Sequence, residues 1–285
     1  MKEIKIFKSE EGKTQIINYY DFLLQRWPVP CEYLNIKTRY GNTFVIASGD
    51  KDKEPVILLH GSSTNSAMWM GDVIKLSKDY RVYAVDIIGE PGKSDESRPE
   101  LQPENYSNWI MDILTELKID KVNIIGNSLG GWMALSFSTI NPDKVKSLVL
   151  IATSGIASAK KSFLFKVILL SLFGKMGMDK INGIVYGKLV MPKEVLEFGN
   201  LVFKNYNPRM DGLYVFNDNE LKNLTMPVYL LVGDKDPLLP SIKTANRLDK
   251  LLNKDKLKIK IIKDRGHVIV DSIDDIIRFL NKGYV

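Results

Sequence analysis

Residues Gly126-Asn127-Ser128-Leu129-Gly130 stand between a short apolar run, 122–125, and a helix-length apolar stretch, 129–140. A serine with a glycine two positions away on each side, placed between strand and helix, fits the nucleophile elbow. Such a turn holds the serine backbone in a strained conformation and leaves no room for side chains at its flanks, which the two glycines satisfy. Ser128 then projects its hydroxyl above the strand end, with its backbone at a helix N-terminus. A serine hydroxyl is a weak nucleophile at neutral pH, so this chemistry needs a base, and the base needs a group that orients it.

The choice of base is narrow, because the chain has two histidines. His60 closes the apolar run 56–59 and is followed by Gly61-Ser62. His267 lies in Asp264-Arg265-Gly266-His267, after the last strand-like run. Serine hydrolysis on an elbow follows the chain order serine, acid, histidine. His267 satisfies that order, and His60 reads as a structural ring packed beneath its turn. The acid should come from Gly233-Asp234-Lys235-Asp236-Pro237, where two carboxylates are available. Asp264, three residues before His267, fits a turn-capping role better. Gly61 permits a tight turn from which the Ser62 N–H points above Ser128, and the Leu129 N–H opens the following helix. Together they would form an oxyanion hole.

These residues need a scaffold that brings strand ends together. Short apolar runs at 56–59, 82–85, 122–125, 148–151, 228–232 and 257–262 alternate with amphipathic, helix-length segments. Runs apolar on both faces belong to a mostly parallel sheet covered by helices on both sides, an α/β architecture. Before them, strands at 32–38 and 43–47 around Tyr40-Gly41-Asn42 read as a hairpin, and a helix over 14–27 stops at Pro28-Val29-Pro30. The interval after the sixth strand is too long for one crossover helix and holds Met176, Met178, Met191 and Met210. It reads as a helical cap, 154–224, over a core of 1–153 and 225–285 in which 1–30 is a leader. The methionines and the apolar segment 163–173 suggest an adaptable apolar pocket.

Composition narrows the function classes. Of 285 residues, 45% are hydrophobic and 26% charged, the balance of an ordinary globular protein. One cysteine, Cys31, allows no internal disulfide and points to a reducing compartment. No 18-residue apolar run and no signal-peptide pattern are present, so a cytoplasmic protein without membrane contact is expected. The net charge of +6 concentrates between Lys243 and Lys263, with eight basic residues against two acidic. That stretch lacks aromatic residues for base stacking, so a solvated lysine face is expected and no nucleic acid. Gly89-Glu90-Pro91-Gly92-Lys93-Ser94 ends like a phosphate-binding loop, but Ile87 stands where its first glycine belongs. No motif for a metal or cofactor is found.

His60-Gly61, Asp86-Ile87-Ile88-Gly89 with Gly92-Lys93-Ser94, Gly126-Asn127-Ser128-Leu129-Gly130-Gly131, Gly233-x-x-Asp236 and Gly266-His267 together resemble the α/β-hydrolase fold superfamily over 36–283. Trp27-Pro28-Val29-Pro30, Thr38-Arg39-Tyr40-Gly41, Ile46-Ala47-Ser48-Gly49 and Val85 to Gly89 resemble more narrowly the Bacillus-type carboxylesterases. The resemblance selects Asp236 over Asp234 as the triad acid and gives the Asp86 loop a structural role. It implies ester hydrolysis, and the apolar cap points to an uncharged ester of short to medium acyl chain, a small-molecule partner. C–C, lactone and thioester hydrolases with the same triad, and a non-hydrolytic receptor, remain the alternatives, and a homodimer is left open.

Overall fold

The computed structural model describes residues 5–158, 170, 174–187 and 189–282. Its centre is an eight-stranded sheet in the order β1-β2-β4-β3-β5-β6-β7-β8. β3 (Pro55–Leu59), β4 (Arg81–Val85), β5 (Val122–Asn127), β6 (Val145–Ile151), β7 (Val228–Gly233) and β8 (Leu257–Ile262) run parallel. β1 (Cys31–Thr38) and β2 (Gly41–Ser48) form the expected hairpin at one edge, with β2 antiparallel to β4. Its loop is tighter than the sequence suggested, because Gly41 and Asn42 already pair as strand, and Gly41 at φ 119° takes backbone that favours glycine.

Alternating side chains of each parallel strand enter two separate cores. Ile57 and Leu59, with Ile124, Leu148, Leu150 and Leu230, pack under α3 (Pro103–Glu116) and α4 (Leu129–Ile140). Val56 and Leu58, with Ile125, Val149 and Leu231, face α1 (Glu10–Leu24), α2 (Met70–Leu76) and α9 (Ile273–Lys282). Trp109 and Trp132 are fully buried in the first core. Each such ring removes roughly 200 Å² from water, about 5 kcal/mol before the entropy of ordering it.

The leader helix starts at a Ser9 cap, whose hydroxyl accepts the Gly12 N–H at 3.0 Å, and ends at Leu24. It stops short of the predicted Trp27 because that ring turns into the core, where its Nε1–H donates to Ser48 Oγ at 3.0 Å. Between β6 and β7 lie α5 (Gly174–Tyr186), α6 (Lys193–Asn205) and α7 (Asp218–Lys222). α6 packs on the leader, where Ile6, Phe7 and Ile16 meet Phe198, Val202 and Tyr206 in a third apolar cluster. Phe216 and Leu221, further along, join the core around Trp132. Apart from Leu170, the apolar segment 163–173 lies outside the described residues. Met176 and Met210 are exposed.

α8 (Ser241–Leu251) and β8 carry the basic stretch. Lys243, Lys250, Lys254, Lys256 and Lys263 are exposed, and Lys258 and Lys260 line an edge strand, where charge discourages pairing with another chain. Among the described residues, no helix is long and apolar enough to cross a membrane. The order β4-β3-β5 makes the loops after β3 and β5 depart in opposite directions. That reversal opens a crevice at the carboxyl ends of the strands, where open parallel sheets bind ligands.

Candidate active site

Ser128 sits at that crevice, between β5 and α4. Its backbone, at φ 50° and ψ −106°, lies outside the ordinary regions for a residue with a side chain, a conformation costing about 1–3 kcal/mol. The Ser128 N–H is anchored on the Ile151 carbonyl at 2.9 Å, and the Gly130 N–H on the His60 carbonyl at 3.0 Å. A Cβ on Gly126 would stand 2.5 Å from the Gly130 carbonyl oxygen, and one on Gly130 would run into the Leu59 and His60 carbonyls. Both flanks of the serine therefore exclude side chains, the reason the sequence spacing requires glycine there.

The loop after β8 brings the His267 Nε2 within 3.0 Å of Ser128 Oγ. On the other side of the ring, Nδ1 lies 2.8 Å from Asp236 Oδ2. A carboxylate accepts, so the Nδ1 position carries the proton and Nε2 presents its lone pair to the serine hydroxyl. Asp236 is 1% exposed, and its Oδ1 takes the Leu238 and Leu239 N–H groups at 2.7 and 3.0 Å. Those two bonds fix the carboxylate, and the carboxylate fixes the ring.

The alternative carboxylates go elsewhere. Asp234 is exposed and accepts the Arg265 N–H at 3.3 Å. Asp264, at φ 54°, pairs with Lys235 at 2.9 Å on the surface. The β7 and β8 loops are held against each other at Gly233, where a Cβ would strike the Arg265 and Gly266 carbonyls. This contact sets the reach from Asp236 to His267.

The loop after β3 forms the opposite wall. A Cβ on Gly61 would lie 2.9 Å from Asn127 Oδ1 and 3.7 Å from Ser128 Cβ, so the loop abuts the elbow directly. Ser62 is exposed at the crevice mouth. Leu129 is the first residue of α4, and an N–H there has no partner within its own helix. His60 is fully buried. Its Nε2 accepts the Ile87 N–H at 2.9 Å, which puts the proton on Nδ1 for donation to the Gly61 carbonyl at 2.8 Å. Burial pushes its pKa down, against the pull of nearby Asp86, and the neutral ring fits both bonds. Asp86 accepts from Tyr20 Oη–H, the Ser66 N–H and the Lys93 N–H at 2.8 to 2.9 Å, a carboxylate tied into the structure, as the resemblance implied.

One buried acid at this wall was not legible in the sequence. Glu90 is 1% exposed and accepts the Ser63 N–H at 2.6 Å. The available signal was a charged residue wedged between Gly89 and Pro91, where a solvated turn is the ordinary reading. Among the described residues, no group of three or more His, Cys, Asp or Glu side chains is arranged to hold a metal ion.

Comparison with known proteins places this geometry among relatives. A family profile described as the alpha/beta hydrolase fold matches residues 54–182. The chain is 34% identical over 263 residues to the uncharacterized carboxylesterase nap of Bacillus subtilis, covering 88% of this chain and 85% of that protein. It is 29% identical over 271 residues to the carboxylesterase YbfK of the same organism, covering 92% and 90%. The crystal structure of naproxen esterase from Bacillus subtilis superposes with a TM-score of 0.83 at 29% identity, covering 96% of this chain and 98% of that one.

Proposed function

The chain belongs to the α/β-hydrolase fold family, and from that membership we propose that Ser128, His267 and Asp236 are the catalytic triad of its ester-cleaving centre, with the Ser62 and Leu129 N–H groups as oxyanion hole. The protein is a carboxylic-ester hydrolase, in line with relatives named as carboxylesterases over nearly their whole length. The observation that most supports the residue assignment is the unbroken chain from Asp236 Oδ2 through His267 to Ser128 Oγ, at 2.8 and 3.0 Å.

Ser128 Oγ attacks the ester carbonyl as His267 Nε2 takes its proton, and the oxygen of the tetrahedral intermediate gains negative charge. The Ser62 and Leu129 N–H groups donate to that oxyanion. Collapse breaks the C–O bond, and the imidazolium gives its proton to the departing alkoxide, which leaves as the alcohol. Water then attacks the acyl-Ser128 ester, losing its proton to His267, and the carboxylic acid departs as the proton returns to Ser128. Asp236 stays ionised throughout and stabilises the imidazolium.

The substrate is a small, uncharged ester of short to medium acyl chain. Support comes from helices α5, α6 and α7 of the interval 154–224, which we read as a cap anchored at its carboxyl end by Phe216 and Leu221. Helix α5 reaches the catalytic loop, since the Val185 carbonyl lies 3.5 Å from where a Cβ on Gly266 would stand. The apolar Ile181, Ile184 and Val185 of that helix suit an acyl chain better than a charged one. A reducing, cytoplasmic setting fits the single cysteine.

The test is hydrolysis of p-nitrophenyl esters from acetate to laurate by wild type and Ser128→Ala. A peak at butyrate to octanoate, and a loss of about 10⁴-fold or more in the variant, is expected. Equal turnover by both proteins would remove Ser128 from the mechanism.

A further inference from the structure

The buried carboxylate behind the Ser62 loop takes no part in the acyl-transfer steps. Glu90 Oε2 holds the Ser63 N–H at 2.6 Å, while Oε1 is buried without a hydrogen-bond partner among the described residues. Ser63 stands at φ 58°, left-handed backbone that a residue with a side chain adopts only when its surroundings enforce it. A short bond from a backbone N–H to a carboxylate is a contact strong enough to enforce it.

The placement relative to Ser62 is what gives this bond a purpose. The Ser62 N–H shares a peptide plane with the Gly61 carbonyl, and that carbonyl takes the His60 Nδ1–H at 2.8 Å. The next plane carries the Ser63 N–H and is held by Glu90. Since each peptide unit is rigid, holding the planes on both sides of the Ser62 Cα keeps the first of them, and the Ser62 N–H it carries, from swinging.

The backbone beside Glu90 is held from several elements. The Gly89 carbonyl accepts from Arg98 Nε and from Tyr206 Oη–H, both at 3.0 Å. Arg98 also donates to Tyr206 Oη and the Asn207 carbonyl at 2.7 Å. Arg209 donates to Tyr106 Oη and to the Pro99 carbonyl. The segment after α6 therefore brings Tyr206 and Arg209 to Glu90, and the stretch before α3 brings Arg98, so two guanidinium groups face it.

We propose that Glu90 is a positioning residue, clamping the Ser63 N–H so that the Ser62 N–H points at the oxyanion formed on Ser128. The proposal rests on the ester-hydrolase reading and on Ser62 as an oxyanion donor. Losing an oxyanion donor outright costs 10²–10³ in rate, so a loosened one should cost about 10–100-fold.

Wild type, Ser128→Ala, Glu90→Ala and Glu90→Gln are compared on p-nitrophenyl butyrate. Each is also titrated with a trifluoromethyl ketone, whose adduct with Ser128 carries an oxyanion, and with the matching methyl ketone. Glu90→Ala should lose about 10–100-fold in kcat with KM within about threefold. Its affinity for the trifluoromethyl ketone should fall by the same factor, with the methyl ketone unaffected. Glu90→Gln keeps an acceptor for the Ser63 N–H and should restore kcat to within about threefold of wild type. Glu90→Met fills the same space without an acceptor and carries the test if Glu90→Ala does not fold. Unchanged kcat in the variants lacking an acceptor, a loss confined to KM, or a Glu90→Gln as impaired as Glu90→Ala would overturn the proposal. Wild type without esterase activity, or active Ser128→Ala, would instead overturn the reading beneath it.

Discussion

The loops after β3 and β8 each place a histidine beside Ser128, and each histidine has an aspartate for a neighbour. Around His60 every polar atom is spent on the backbone, with Nε2 on the Ile87 N–H and Nδ1 on the Gly61 carbonyl. Asp86 is likewise saturated, by Tyr20, Ser66 and Lys93. Around His267 the carboxylate spends one oxygen on the backbone and the other on the ring, and the remaining ring nitrogen faces a hydroxyl. The same pair of residue types thus makes a rigid wall in one loop and, on the proposed function, a proton carrier in the other. What separates them is whether the second ring nitrogen meets a fixed amide or a reacting group.

If that contrast is right, the largest effect belongs to His267→Ala. Turnover of p-nitrophenyl butyrate should fall by about 10⁴–10⁶-fold, with the urea midpoint shifting by less than the equivalent of about 1 kcal/mol. Next comes Asp236→Asn, which keeps the shape but can present an amide N–H to the ring and favour the wrong tautomer. A drop of about 10³–10⁴-fold in kcat, with KM little changed, is expected from steady-state kinetics. A fall of only a few-fold would mean that the ring is oriented by something other than Asp236.

The two loops were unequally legible in the sequence. Ser128 and His267 could be read because local constraints announce them, the glycines of the elbow and a single histidine after the last strand. Asp236 needed more than local spacing. Asp234 and Asp236 sit on one short turn, and only the folded β7–β8 contact sends one to Arg265 and the other to His267. Glu90 was opaque because it is buried and two of the groups that act on it, Tyr206 and Arg209, are remote in the chain, and nothing near Gly89-Glu90-Pro91 reports them. The same holds for the leader. Its helix follows from periodicity, but its pairing of Ile16 with Phe198 and Val202 is a long-range contact without a local signature. The alternating apolar runs, by contrast, carried the parallel sheet because both faces of its inner strands are buried.

On the structural side of the contrast, His60→Ala should act chiefly on stability. It removes two buried hydrogen bonds and leaves a cavity, a loss of about 2–4 kcal/mol in urea unfolding. Because the Gly61 carbonyl also loses its partner, kcat should drop as well, by no more than about 100-fold. A His60→Ala protein of undiminished stability, inactive like His267→Ala, would erase the distinction between the two loops.

The smallest expected effect concerns the charge on that same wall. Burial pushes the Glu90 carboxyl up to about 7 from its ordinary 4.5, with the Ser63 N–H, Arg98, Tyr206 and Arg209 pulling the other way and Tyr106 beside it. The folded protein therefore holds a proton there that the unfolded chain releases near pH 4.5. The resulting stabilisation is complete below pH 4.5 and is lost as the pH rises through about 7. Full loss of a shift that size amounts to at most about 3 kcal/mol, and the facing guanidinium groups favour the lower end. Glu90→Gln is neutral at every pH and should abolish this slope, so its stability relative to wild type should rise between pH 5 and pH 8 by about 1–3 kcal/mol in urea titrations. A difference independent of pH would show that the two arginines hold Glu90 ionised throughout. The clamp on Ser63 would then be a permanent ion.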